Sequence, residues 1–328
     1  MSRIVLGVGA SHTTLMNTRW HEVEHLSRAH RFRDALGEAR SRLEGESPDL
    51  VLIIGSNHFR GIGLDLMPAF TIGVGDVIAA GEHGTPAGPQ HSDPAAALVL
   101  CERLIESGLD VAFSAELLID HGISHAIQYL VPPNVPVVPI VVNCFAPPLP
   151  TPARTCAFGL ALGSAACRLP GNRRVGVIGT GGLSHALPFP DWAAPDSEDD
   201  RFLVDSWRHG KADWAANEHR RRQIILSAPP RINTDFDEEF LAAVASGEHM
   251  ALAQRLGNRD LVASAGNGGN EIRTWLAMCA AVDAAAGEVL AYSAMPEWLT
   301  GMAVAAFTPA SAAPTTRPAR RSRPPDHP

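Results

Sequence analysis

The chain has 328 residues, 45% of them apolar and 19% charged, with a formal net charge of −8. That balance suits a globular α/β protein with a sizeable core, and no apolar run approaches the ~20 residues that cross a bilayer. The acidic excess argues against a nucleic-acid surface, and five scattered cysteines without a Cys-x-x-Cys spacing suggest neither a disulfide framework nor a thiolate zinc site.

The N-terminal stretch is too short in its apolar part to read as a secretory signal, so a cytoplasmic location is expected. Residues 4–9 are a β-branched run predicting a first strand that ends at Ala10-Ser11-His12. Helical composition covers 28–43. Pro48-Asp49 then resets the chain, and residues 50–55 predict a second strand ending at Ser56-Asn57-His58. A third strand is expected over 70–74. Glycines, prolines and histidines from 76 to 93 read as one long loop, a length more often functional than idle in a compact domain. Asp93-Pro94 starts a helix, with Asp as N-cap and Pro in the first turn, and the helix is expected to reach Ser107.

Residues 109–114 and 116–119 read as extended chain leading into Asp120-His121-Gly122. The β-rich stretch 136–142 contains Pro139 and is therefore expected at an edge or a bulge. A small-residue helix is expected over 155–168. A buried-type strand over 174–179 then runs into Thr180-Gly181-Gly182-Leu183-Ser184-His185. From the 190s to 222 the charged chain, with Trp192, Trp207 and Trp214, reads as surface helices over the site or at a subunit contact. Ile272, Trp275, Leu276 and Cys279 fall at helical spacing, which puts Glu271 at the start of an amphipathic helix. Residues 1–308 read as one catalytic domain, and 309–328, rich in Pro, Ala, Thr and Arg, as a disordered tail.

Strands alternating with helices predict a layered α/β/α sheet whose crevice lies beyond the carboxyl ends of its strands. His12, His58 and His185 each follow a predicted strand and so can converge. His121, and Glu271 behind the Gly-rich stretch 266–269, complete five segments. Two imidazoles and a carboxylate can hold one face of a ferrous ion and leave positions for substrate and dioxygen, while two further histidines can move protons. Singly, His12 and His58 fit capping or core histidines, Glu271 fits a helix-start acid, and Asp120 fits either an imidazole partner or a turn cap. Their joint placement carries the reading. His21-Glu22-Val23-Glu24-His25 satisfies the zinc-protease pattern, but it runs into a charged face over 27–33 and is rejected. Gly7-x-Gly9 is no dinucleotide fingerprint, because His12 occupies the third glycine position. Of the other histidines, His125 and those of the 76–93 loop are expected nearest the pocket, and His249 reads as a surface or loop residue.

Taken in order, Ser11-His12-Thr13, Asn57-His58, residues 65–75, Asp120-His121-Gly122, residues 179–185, Asn270-Glu271-Ile272-Arg273-Thr274-Trp275 and Met295-Pro296-Glu297-Trp298 resemble the class III (LigB-type) extradiol ring-cleavage dioxygenases. This is the group of the protocatechuate 4,5-dioxygenase catalytic subunit. The resemblance implies a single three-layer α/β/α domain with a central mixed sheet, and Fe(II) held by His12, His58 and Glu271. It further implies His185 as base, His121 as acid, and O2-dependent opening of a catecholic ring of the 2,3-dihydroxyphenylpropionate kind. A protocatechuate, gallate or heterocyclic diol stays open as substrate, as do a non-catalytic metal-binding relative and a zinc hydrolase. Residues 15–30 and 224–237 depart from the family pattern and leave the substrate's side chain undetermined. With no appended domain, a homo-oligomer is expected, with no nucleic-acid or membrane partner.

Overall fold

The computed structural model describes residues 1–310, so the tail expected from 309 lies outside the described residues except for its first two positions. One mixed sheet holds nine strands: β1 (Arg3–Ala10), β2 (Leu50–Ser56), β3 (Phe70–Ala80), β4 (Ala87–Pro89), β5 (Ala112–Ile119), β6 (Val137–Val142), β7 (Arg174–Thr180), β8 (Ala284–Met295) and β9 (Thr300–Pro309). Their order is β4-β3-β6-β2-β7-β1-β9-β8, with β5 also paired to β3. The central strands β6, β2, β7 and β1 are mutually parallel. Antiparallel β3 and β9 flank them. β2 and β6 are buried along their whole length, which is why they read as unbroken apolar runs and not as alternating ones.

Helices cover both faces. Leu52 and Val177 point into a core shared with the helices Pro94–Glu106, Pro152–Cys167 and Ile272–Val282. Ile53 and Ile178 point the other way, into a core shared with the helices Leu26–Gly45 and His121–Tyr129. As expected, the Asp93 carboxylate accepts from the Ala96 amide at 2.9 Å and caps its helix. No helix among the described residues is long and apolar enough to cross a membrane.

Several local expectations need correction. β3 continues to Ala80, and β4 folds back on it, so the long loop contracts to a single turn around Glu82–Gly84. Residues 112–119 form one strand. Pro139 sits in a strand between two neighbours, because the antiparallel ladder to β3 ends at Ile72 and Ile140, one residue short of it. Gly73 opposite leaves room for the ring: a Cβ there would lie 2.8 Å from Pro139 Cγ. The helix Ile272–Val282 is not amphipathic, since all eleven residues are buried between the sheet and the helix Pro152–Cys167. His249 is buried in its own short helix, His249–Arg255. Four of the free cysteines are buried, but Cys167 is exposed.

Candidate active site

The parallel strands deliver the site. His12 lies two residues beyond β1, His58 two beyond β2, and Gly182 to His185 just beyond β7, at the carboxyl ends where open α/β sheets bind ligands. His121 follows β5, and Glu271 closes a turn immediately before the helix Ile272–Val282. The polar residues beside these histidines act as brackets. Ser11 Oγ accepts from the Ala303 amide at 3.0 Å, Asn57 donates to the Ile62 carbonyl at 2.9 Å, and Ser184 is gripped through amide and hydroxyl by Asp237.

The five chains converge as their placement predicted. Glu271 Oε1 lies 3.2 Å from His12 Nε2 and 3.5 Å from His58 Nε2, and Oε2 lies 3.9 Å from His185 Nε2. Ser56 Oγ and the Gly182 amide both donate to this carboxylate. His121 stacks on His58 with ring centroids 4.0 Å apart. The His12, His58 and His121 rings also bring nitrogens within 4.8 Å of one another, so two donor triads share the space. Glu271 is the better third member, because its Oε1 lies against both other rings and it brings the negative charge that a third imidazole lacks. Buried His12 Nε2 has no hydrogen-bond partner among the described residues despite the adjacent carboxylate.

Charge in the site favours a cation. Burial disfavours charge on Glu271, but His12 and His58 hold its carboxyl well below the usual range. Burial likewise opposes a charged His58, yet Asp120 and Glu271 outweigh it and push that imidazole up to about 10. The carboxylates that hold a proton there would equally hold a metal ion. His185 is lowered by burial, with Glu271 opposing. His121 is lowered by burial and by neighbouring His58, with Glu82 opposing. In both rings burial favours the neutral imidazole.

Residues 7–303 match the family described as the catalytic LigB subunit of aromatic ring-opening dioxygenase. The chain belongs to this family. It is similar to proteins named 2,3-dihydroxyphenylpropionate/2,3-dihydroxicinnamic acid 1,2-dioxygenase. The one from Rhodococcus jostii strain RHA1 is 35% identical over 283 residues, 82% of this chain and 88% of its own length. The Burkholderia vietnamiensis protein is 32% identical over 295 residues, 85% and 88% of the two chains. That of Escherichia coli K12 is 33% identical over 281 residues, 81% and 87%. The chain is accordingly a LigB-family ring-cleaving dioxygenase acting on a small aromatic molecule with O2.

In this LigB-family member the site opens into a cleft of about 790 Å³ including its mouth. Its floor is the five-residue cluster. Its roof is the helix Trp214–Ser227, which supplies Glu218, Arg221, Arg222, Ile225 and Leu226. Of the two positions expected for the charged region, over the site or at a subunit contact, the first holds for Glu218, Arg221 and Arg222. Glu82 and Arg60 were missed as well: the Glu82 carboxylate accepts from the His121 amide, sits against its Nδ1, and is paired with Arg60. Burial opposes that charge, but His121 and Arg60 keep the Glu82 carboxyl far below its ordinary value. The signal for Glu82 was its place in a loop already suspected of function. Asp120 serves His58 and not the adjacent His121, through 2.6 Å to the His58 amide and 3.2 Å to Nδ1, while also capping Gly122. His83 lines the cleft as expected of a loop histidine, whereas His125 lies behind His12 with ring centroids 6.5 Å apart. His21 and His25 are exposed and fall in separate elements, which agrees with rejecting the protease motif.

Proposed function

We propose that this chain is a non-haem Fe(II) extradiol dioxygenase that opens the ring of a catechol of the 2,3-dihydroxyphenylpropionate kind. His12, His58 and Glu271 are the iron ligands, His185 the base and His121 the acid. The observation that carries this reading is the convergence of Glu271 Oε1 on the Nε2 atoms of two histidines, one of them buried without a hydrogen-bond partner among the described residues. Two imidazoles and one carboxylate are the donor set that leaves a face of Fe(II) open. Held by His12, His58 and Glu271, Fe(II) would supply Lewis acidity toward the diol and the means to activate dioxygen.

His185 Nδ1 lies 2.9 Å from the Leu183 carbonyl, so it carries the proton and leaves the Nε2 lone pair facing the cleft. A neutral ring in that tautomer accepts a hydroxyl proton from the substrate. His121, held at Nδ1 by ionised Glu82, would take a proton from solvent at Nε2 and deliver it to oxygen as the ring opens, while His185 releases the hydroxyl proton it received to solvent. Leu187 and Phe189 line the apolar side of the cleft. In the net reaction the carbon–carbon bond beside the diol breaks and both oxygen atoms of O2 enter the product.

The test is anaerobic reconstitution with Fe(II), followed by oxygen uptake and visible spectra with a panel of catechols including 2,3-dihydroxyphenylpropionate. Stoichiometric oxygen consumption with a new yellow absorbance is the expected result. Iron uptake without turnover on any diol would sink the proposal.

A further inference from the structure

We infer that Arg221 receives an acidic group on the substrate's side chain, so that this cleft selects catechols carrying a carboxylate close to the ring. This rests on the reading above that a catechol is cleaved here. Arg221 is only 2% exposed, yet it forms part of the cleft wall. Two contacts fix its guanidinium: Nη2 donates to the His58 carbonyl at 3.2 Å, and the central carbon lies 4.0 Å from the Trp214 ring centroid. Nε and Nη1 are buried and have no hydrogen-bond partner among the described residues. A buried guanidinium with unused N–H groups is costly unless an anion meets it.

The anion does not come from the cleft itself. Glu82 is engaged by Arg60 and His121, and Glu218 by Arg60 and His83. Arg222 has its own partner in Thr18 Oγ1 at 2.8 Å. Of the three carboxylates lining the cleft, Glu271 is held by His12 and His58 and the other two are already occupied, so of the three guanidinium groups Arg221 is the cation left over. A planar guanidinium is suited to a carboxylate, and its contact with the backbone carbonyl of His58, a proposed iron ligand, sets it on the same wall as the proposed iron site.

The wild-type enzyme is compared first on 2,3-dihydroxyphenylpropionate and its uncharged propionamide. The acid should win by ~10² in kcat/KM, expressed mainly in KM. In Arg221→Gln this preference, and that for the acid over 3-propylcatechol, should collapse towards unity, with Arg221→Lys recovering part of it. Calorimetric titration with 3-phenylpropionate, which has no diol, should show binding to the wild type and none to Arg221→Gln. Equal cleavage of acid and amide by the wild type would overturn the assignment, and so would equal loss on charged and uncharged diols in Arg221→Gln, which would leave Arg221 a mere prop for His58. If no catechol is cleaved at all, the functional reading falls, while the phenylpropionate titration still decides Arg221.

Discussion

Each imidazole of the site is oriented through the nitrogen that does not face the cleft. Thr180 Oγ1 holds His12 Nδ1 at 2.8 Å, Asp120 holds His58, Glu82 holds His121, and the Leu183 carbonyl holds His185. Such outer partners set tautomer and ring angle and are worth about 10- to 100-fold in comparable sites. Glu82→Gln should therefore lower kcat by ~10–10² while iron content stays stoichiometric, with Glu82→Asp restoring part of the rate. His185→Ala and His121→Ala should each lose ~10²–10⁴ in turnover, also with iron retained, as metal analysis alongside oxygen uptake would show. Behind His185, burial raises the Asp237 carboxyl to about 6, against the donors Ser184 and Tyr292. The folded chain thus holds this proton more tightly than the unfolded one, so its stabilising contribution is complete below about pH 4 and is lost as pH rises through 6, an effect of about 2–3 kcal/mol. Buried neutral histidines act in the opposite sense, gaining stability as pH rises through their ordinary value. The difference in melting temperature between wild type and Asp237→Asn, followed from pH 4 to 7, isolates the carboxyl; a flat difference would remove Asp237 as a titrating group. At this scale the sequence exposed the five inner residues because each adjoins a strand end or a helix start. Arg60, Glu218 and Arg221 were illegible, and Glu82 legible only through its loop, because their importance arises only when that loop and a distant helix are folded over those ends.

The helix Ile272–Val282 shows how close packing places one of these residues. A Cβ on Gly159 or Gly163 would overlap the carbonyls of Ala277 or Ala281, and one on Gly181 would lie 2.6 Å from Glu271 Cβ. Small residues on the helix Pro152–Cys167 and on the turn after β7 thus let backbones meet, and the helix that begins after Glu271 is clamped from both sides. Gly163→Ala should cost about 1–3 kcal/mol and weaken iron retention through displacement of Glu271. Gly37→Ala is the control: its site on the exposed face of the helix Leu26–Gly45 has nothing within 4 Å of the added methyl, and the change should stabilise by about 0.5–1 kcal/mol. Thermal unfolding of the two variants, with iron analysis of the first, separates the cases. Periodicity found this helix but misjudged its environment, since apolar residues at helical spacing do not reveal that the small residues between them, Ala277, Ala280 and Ala281, are covered too. The same limit explains Pro139, whose tolerance inside the sheet depends on where a partner's ladder stops.

Across the whole molecule, His12 and Glu271 come from opposite ends of the chain and meet only when the sheet is complete. Metal binding is then coupled to global folding, because the unfolded chain has no such site. Fe(II) supplied at 100 times its dissociation constant should add about 2.7 kcal/mol of stability, read as a higher melting temperature under anaerobic conditions. Glu271→Ala should abolish that shift; an undiminished shift would refute Glu271 as a ligand. The layered architecture was readable from strand and helix alternation, and the crevice from the carboxyl ends of the strands. The curvature that brings the turn after β3 back to His121 was not, since it follows from the register break between Gly73 and Asp76. Both stretches expected to depart from the family pattern reach the cleft wall, through Leu15 and through Ile225 and Leu226. The floor of the cleft is thus owned by the sheet, while most of its charged roof rides on the single helix Trp214–Ser227. With the roles proposed above, ring opening and substrate choice fall on different lengths of chain. Inheritance can rewrite the second, as an exchangeable cassette, while leaving the first intact.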